Sequence, residues 1–466
     1  MMSLLSALPF LAALLLTFYF WPNQNSHRIA FLLRCSLAGG LALGISSCSF
    51  FVSLAVCGSP SKATVLDILF YVVLNAVLLF KLRNQLSKFQ PVSDPKPGKR
   101  SRFDTLLATT FYVVAALAVV NFVLSSLTLP HGNWDAWAIW NLRARFIFRG
   151  GEHWANAFSQ LLFWSHPDYP LLIPMNVARV WTYLGHESTM IPWAIAMFFT
   201  FATVGLMISA ISVLRDKNQA LLAALVLLGS VYFIRYGTWQ YADVPFGYFV
   251  LATVILWSLQ SSLDNSNFKL LSLAGMMAGF ATWTKNEGFL FLVSLVIARF
   301  VICFRTSGLK SFYKEIRAFI LGLFPILAVV LYFKFHLAPP TDLMTKDLTS
   351  VFNKMVDLTR YLQVAKAFFV EFIFLGNGFV FILMIYFFLL GIHPRAVEKP
   401  IRMTISITLC LMLLGYVLIY VTSPHDLNFH LTYSLRRLFI QIWPTAIFAF
   451  FLTVKTLDQA PVTSQI

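Results

Sequence analysis

Charge is scarce in this chain, and acidic charge scarcest: only 12% of its 466 residues are charged, with 19 acidic side chains against 35 basic ones. An ordinary soluble domain carries about twice that charged fraction. The 59% that is hydrophobic exceeds what one aqueous core encloses, which excludes a soluble fold. Missing too is the period-two alternation over segments of roughly ten residues that marks a membrane-spanning barrel. The five cysteines, Cys35, Cys48, Cys57, Cys303 and Cys410, form no CxxC pair. That excludes the usual zinc and redox frameworks and leaves them packing roles. No aromatic and basic binding module accompanies the net charge of +16, so the excess is not a nucleic-acid footprint. No Lys or Arg occurs in the first 21 residues, so the basic region of a cleaved signal peptide is lacking and the first span is expected to stay. There is no strong internal repeat of the transporter kind.

What is there is a succession of apolar runs, each about 18 residues or longer and so long enough to cross the hydrocarbon layer. The expectation is an all-α polytopic membrane protein of about 13 transmembrane helices. The basic stretch from Lys81 to Arg102, with Arg83, Lys88, Lys96, Lys99 and Arg100, sets the orientation by the positive-inside bias. With that stretch in the cytoplasm, alternation places segments near 128–188, 236–243, 283–288, 338–365 and 422–437 outside. Those near 214–219, 260–269, 303–317 and 392–402 fall inside. The inside segments read as short connectors. The outside ones hold most histidines, a Trp-rich stretch and the acidic residues that adjoin apolar spans. The outer loop 128–188 contains Trp134, Trp137, Trp140, Trp154 and Trp164, and short amphipathic helices on the bilayer surface are expected there.

Polar clusters stand out on that outer side. Asn133-Trp134-Asp135-Ala136-Trp137 places a carboxylate at the membrane boundary among aromatic rings; Asp135 there either takes a proton from an attacking hydroxyl or caps the helix that follows. In His166-Pro167-Asp168-Tyr169-Pro170 two prolines stiffen the chain and present His166, Asp168 and Tyr169, to orient a sugar or to build a turn. Tyr241-Ala242-Asp243-Val244-Pro245 sets a second carboxylate at the same level; Asp243 either caps a helix or holds a divalent cation or a basic partner. In Thr284-Lys285-Asn286-Glu287-Gly288 the lysine either neutralises a phosphate or pairs with Glu287 or Asp243. The segment Thr422–Pro444 carries His425, Asp426, His430, Ser434, Arg436 and Arg437. Adjacent arginines at an outer interface run against the charge bias and call for an anion: a lipid-linked phosphate held by a guanidinium fork, a head group, or Asp426.

The order of these clusters across roughly 104–445 resembles the GT-C superfamily of polytopic glycosyltransferases, which includes protein O-mannosyltransferases and the bacterial aminoarabinose and Rgt-type lipopolysaccharide transferases. The resemblance implies a catalytic unit over 104–466 whose first outer loop carries an essential acidic residue near its start, here Asp135. Many members have an acidic pair at that place, where this chain has Trp134 and Ala136 as neighbours. Residues 1–103 then form an addition of three spans and a basic cytoplasmic loop. The resemblance further implies a polyprenyl-phosphate sugar donor, an inverting transfer to a lipid, glycan or protein acceptor, and a metal requirement that varies among branches. Catalysis is expected from Asp135 and Asp243. Substrate contacts are expected from Trp134, His166, Asp168, Tyr169, Lys285, Glu287, His430, Arg436 and Arg437. The expected location is a bacterial inner membrane with the site facing the periplasm. Two other readings of the same polar groups are a transporter or lipid flippase, and a non-catalytic subunit of an envelope polysaccharide assembly complex.

Overall fold

The computed structural model describes residues 5–21, 28–86, 101–263, 268–341, 348–393 and 399–456; the basic stretch Lys81–Arg102, expected in the cytoplasm, lies mostly outside them. Among the described residues the regular structure is helical, apart from one bridge between Ile392 and Val454. Helices α1 (Leu8–Phe20), α2 (Arg28–Cys57), α3 (Pro60–Leu86) and α4 (Arg102–Thr128) precede the large loop. Ser101 and Asp104 start α4 with a reciprocal cap, each side chain accepting the other's backbone N–H, at 3.0 and 2.9 Å. The loop winds through a π-helical turn at Ala136–Trp140, α5 (Asn141–Arg149), 3₁₀ turns at Gly151–Phe158 and Gln160–Ser165, and α6 (Leu172–Leu184). Next come α7 (Met190–Leu214), α8 (Lys217–Leu228), α9 (Val231–Thr238), α10 (Asp243–Leu263), α11 (Lys269–Thr284) and α12 (Glu287–Thr306). The bundle is completed by α13 (Leu309–His336), α14 (Leu348–Val356), α15 (Leu358–Phe374), α16 (Phe379–Leu390), α17 (Lys399–Thr422) and α18 (Leu427–Thr453).

Ten of the spans in the described residues are long and apolar enough to cross a membrane, and α8 with α9 makes an eleventh if that pair, bent by 63°, counts as one. The helices α1 and α11, with 13 and 16 residues, are too short for that test. Both nevertheless connect the two ends of the bundle. At the start of α1, the Ser6 carbonyl accepts from Arg179 of α6, while Tyr19 near its finish lies under Lys81 and Lys269. Large side chains such as Phe80, Leu117, Phe324 and Phe388 point outward, each more than 60% exposed. A surface of that kind is solvated by hydrocarbon rather than water.

The two ends have distinct chemistry. At one, Asn218 donates to Asp104, Gln219 to the Lys455 carbonyl, His393 N to the Thr453 carbonyl, and Arg299 forks onto Glu315. These are the segments that alternation grouped with the basic stretch. At the other end lie the large loop and the termini that carry Asp243, Lys285, Glu287 and Arg437.

Small residues allow the tightest packing. A methyl group on Gly275 of α11 would collide with the Phe319 carbonyl, and one on Gly322 of α13 with the Ser272 carbonyl, so these two backbones are in direct contact. Helices solvated by lipid associate through such close approach rather than through a hydrophobic drive. Cys48 and Cys303 are buried as expected, whereas Cys35 and Cys410 lie exposed on apolar helices.

The N-terminal helices hold the large loop. Asp67 of α3 accepts from Arg179 Nε and from the Tyr183 hydroxyl, both at 2.7 Å, and from Ser49 Oγ of α2 at 2.7 Å. Ser46 donates to Asn176, and Ser47 to the Leu171 carbonyl while accepting from Trp283 Nε1. Asp67 is fully buried and Arg179 is 2% exposed, so the pair is a desolvated ion bond, with Asp67 further held by Ser49 and Tyr183 and Arg179 Nη1 by the Ser6 carbonyl.

Candidate active site

Gly132, at φ +73°, turns the chain out of α4, and Asn133 N then donates to the Trp239 carbonyl. Asn141 ties the same corner to Gln240 at 3.0 Å. Asp135 emerges from this corner with its side chain making no cap bond to the turn that follows. Its Oδ2 instead receives Arg437 Nη2 of α18 at 2.6 Å.

Arg437 continues to Asp243, its Nε standing 3.1 Å from Oδ2. Asp243 begins α10 and is wholly buried; its Oδ1 accepts from Lys285 Nζ at 2.8 Å and Gln441 Nε2 at 2.7 Å. Lys285, just past the end of α11, also meets Glu287 Oε1 at 3.1 Å, and Gln441 donates to that oxygen at 3.2 Å. Burial works against the Lys285 ammonium, but Asp243 and Glu287 outweigh it and hold its pKa above the ordinary value. Four chain segments thus converge on one charged network of three carboxylates, Lys285 and Arg437.

The His166–Pro170 segment forms the next wall. Arg143 of α5, 1% exposed, clamps its backbone by donating to the carbonyls of Ser165 (2.9 Å), His166 (2.5 Å) and Tyr169 (2.8 Å). His166 takes a left-handed conformation at φ 48° and stacks on Tyr169. Asp168 accepts from Asn286 Nδ2 at 3.0 Å, and Lys334 of α13 donates to the Asp168 carbonyl at 2.5 Å and to Asn286 Oδ1 at 2.7 Å. Burial first, and then Glu287, push the Tyr169 phenol well above its usual pKa against the opposing Arg437, so it remains a neutral donor at physiological pH. A cavity of about 300 Å³ opens at Asp168, lined also by Gln160, Phe163, Pro167, Pro339 and Pro340.

Other expected residues stand apart. Arg436 turns away from its neighbour and forks onto Glu371 at 2.6 and 3.1 Å, with its guanidinium 4.0 Å from the Tyr232 ring centroid. Consecutive residues point about 100° apart on a helix, and here the two guanidiniums go to different partners. Asp426, offered as an arginine partner, caps α18 by accepting from Phe429 N. His430 is bonded to Ser423 Oγ at 2.8 Å and packed by Tyr420 and His425. Trp134 is 56% exposed and leans on Trp137, while Trp140 and Trp154, expected at the surface, are buried.

Arg143, Gln441, Asn286, Lys334 and Glu371 were not anticipated. A signal existed for three of them: Lys334 and Gln441 are polar intrusions in apolar runs, and Asn286 sits inside the Lys285–Glu287 cluster. A divalent cation does not suit Asp243 as built, because both its oxygens already accept from Lys285, Gln441 and Arg437. Among the described residues no group of three or more His, Cys, Asp or Glu side chains is arranged to hold a metal ion.

Taken together, a polytopic helical membrane protein with a desolvated cluster of paired acids and bases at one end of its bundle has the build of a membrane-embedded group-transfer enzyme. Residues 168–332 match the family model of dolichyl-phosphate-mannose-protein mannosyltransferases, which supports a membrane glycosyltransferase of the GT-C superfamily. The matched stretch includes Asp168, Tyr169, Asp243, Lys285 and Glu287 but neither Asp135 nor Arg437. No curated protein and no solved structure matches the chain.

Proposed function

We propose that this glycosyltransferase moves a sugar from a polyprenyl-phosphate donor to a lipid, glycan or protein acceptor, with inversion, at the face carrying the large loop. In a bacterial host that face is the periplasmic side of the inner membrane. The observation behind the mechanism is the single guanidinium of Arg437 shared between Asp135 and Asp243.

In this network Arg437 and Lys285 are both neutralised by carboxylates. A donor phosphate competes for them: Arg437 keeps its Nε bond to Asp243 and exchanges Asp135 for a phosphate oxygen. The exchange frees Asp135 as a base. The acceptor oxygen attacks the anomeric carbon, its proton passes to Asp135, and the bond from that carbon to the phosphate oxygen breaks, the electron pair leaving with the phosphate. Arg437 and Lys285 stabilise the charge that develops there. Asp243 holds both cations in place, and Tyr169 and Asp168 supply a donor and an acceptor for sugar hydroxyls.

The test is mass spectrometry of envelope glycolipids, glycans and glycoproteins from cells lacking the chain, complemented with wild type or Asp135→Asn. Loss of one sugar that only wild type restores is the expected result, and its mass defines the sugar class. Equal restoration by Asp135→Asn removes the carboxylate from the base role.

A further inference from the structure

Away from the charged network, α5 presents a second face. Leu142, Arg145, Phe146 and Arg149 recur at helical spacing on one side, opposite the buried Arg143, Ala144 and Ile147. This outward face walls an open cavity of about 410 Å³, closed by Gly150, His153 and Asn156. The cavity is of ligand size.

Its charge is lopsided. Among the described residues Glu187 is the only carboxylate bonded to the two arginines, receiving Arg145 Nε at 3.4 Å and Arg149 through Nη2 at 2.9 Å and a short Nε contact. Arg145 also meets His131 Nδ1 at 3.2 Å and lies over the Trp181 ring. Each guanidinium carries five N–H donors, so these bonds leave a surplus of donors and one net positive charge on a rim that also carries His153. The rim is braced: Glu152, next to His153, reaches Lys62 of α3 at 3.5 Å.

We propose that this cavity binds a phosphate group held by the Arg145–Arg149 pair, with Glu187 spacing the two forks in its absence. A phosphate monoester matches paired guanidiniums in geometry and charge. The room beyond one phosphate accommodates the sugar that carries it, with Phe146 and Leu142 as the apolar wall. Resting on the glycosyltransferase reading, this makes the cavity an anchoring subsite for a phosphorylated acceptor, reached from the same loop that presents Asp135. The same phosphate chemistry is offered by an anionic bilayer head group, and the test separates the two sources.

Full-length protein in a neutral maltoside detergent is titrated with glucose 6-phosphate or glucose, and binding is followed for the phosphate by ³¹P line broadening and for glucose by saturation-transfer proton signals. Glucose 6-phosphate is expected to bind and glucose not. An Arg145→Gln/Arg149→Gln variant should lose on the order of tenfold or more in affinity, the size expected for lost charge-assisted bonds. Glu187→Gln, which removes the competing carboxylate, should bind more tightly than wild type and serves as a variant in which the arginines are retained. Displacement of the sugar phosphate by phosphatidylglycerol in mixed micelles assigns the phosphate site to the bilayer; failure to displace it assigns the site to the acceptor. Affinity unchanged in the double variant, or no phosphate-dependent binding to wild type, overturns the proposal. Asp135→Asn and Arg437→Gln should bind as wild type does, so loss of sugar transfer and loss of this site are read separately.

Discussion

Arg437 of α18 and Asp135 of the large loop meet at 2.6 Å, although each belongs to a segment that the apolar runs of the whole bundle separate. Because the same guanidinium is 3.1 Å from the buried Asp243, the loop is docked on the helices by charge at the place where chemistry is proposed. In the proposed mechanism a competing anion releases this docked carboxylate, so that donor binding and base activation are coupled.

The first prediction concerns that coupling. Asp135→Asn, at wild-type abundance, should lower sugar transfer by about 10² to 10⁴, the range for a positioned general base. Arg437→Lys keeps the charge but cannot span two carboxylates, and should also lower transfer by about 10² or more, as when a charge-stabilising donor is lost. Transfer assays in detergent or vesicles with a polyprenyl-phosphate sugar check both; wild-type rates in either variant would contradict the coupling.

Asp243 and Lys285 test the buried pair. Removing one partner of a buried pair costs most when the survivor is left uncompensated; here Asp243 keeps Arg437 and Lys285 keeps Glu287, so the expected loss is about 1–3 kcal/mol. Asp243→Asn and Lys285→Met should each reduce thermal stability by that order, and the double variant by less than the sum of the two. Melting curves of the purified variants give the cycle directly; strict additivity would show that the two side chains do not depend on one another.

A pH limb follows from Lys285. Its folded-state pKa lies above the ordinary 10.5, so its contribution is full below 10.5 and is lost as pH rises through the higher folded value. Wild-type melting temperature should therefore fall above pH 10.5 more steeply than that of Lys285→Met. Parallel alkaline limbs in the two proteins would count against the assignment.

Packing gives the fourth. Gly322→Val forces a branched side chain into the Ser272 carbonyl, and no rotamer relieves a collision with backbone. Detergent-stable protein should be nearly absent for this variant, as read by size-exclusion fluorescence, whereas Gly308→Val at an open position should retain most of it despite its strained φ of +80°.

The helical class was readable because an apolar run reports a span by length alone, although about 13 spans were expected and ten or eleven among the described residues are long and apolar enough; alternation sorted the connecting segments into the two ends found in the bundle. Asp135, Asp243, Lys285, Glu287 and Arg437 were singled out on one side of the alternation, and the fold brings them into one network. Direction around each helix was not readable from isolated residues. Arg436 and Arg437 look alike in the chain, yet one faces Glu371 and the other faces Asp135. Arg143 was invisible for a related reason, since an arginine in a loop of mixed polarity gives no sign that it will be buried against three carbonyl groups. His430 and Trp134 lie at the same end of the bundle as the network but have other partners.

The bond between Asp67 and Arg179 has a bearing on biogenesis. The segments that grip the large loop, α2 and α3, leave the ribosome before the loop does, so the loop emerges after the helices that hold it. The loop need not wait for the later helices to find its seat on α2 and α3, whereas the corner that carries Asp135 is completed only when Trp239, Gln240 and Arg437 arrive.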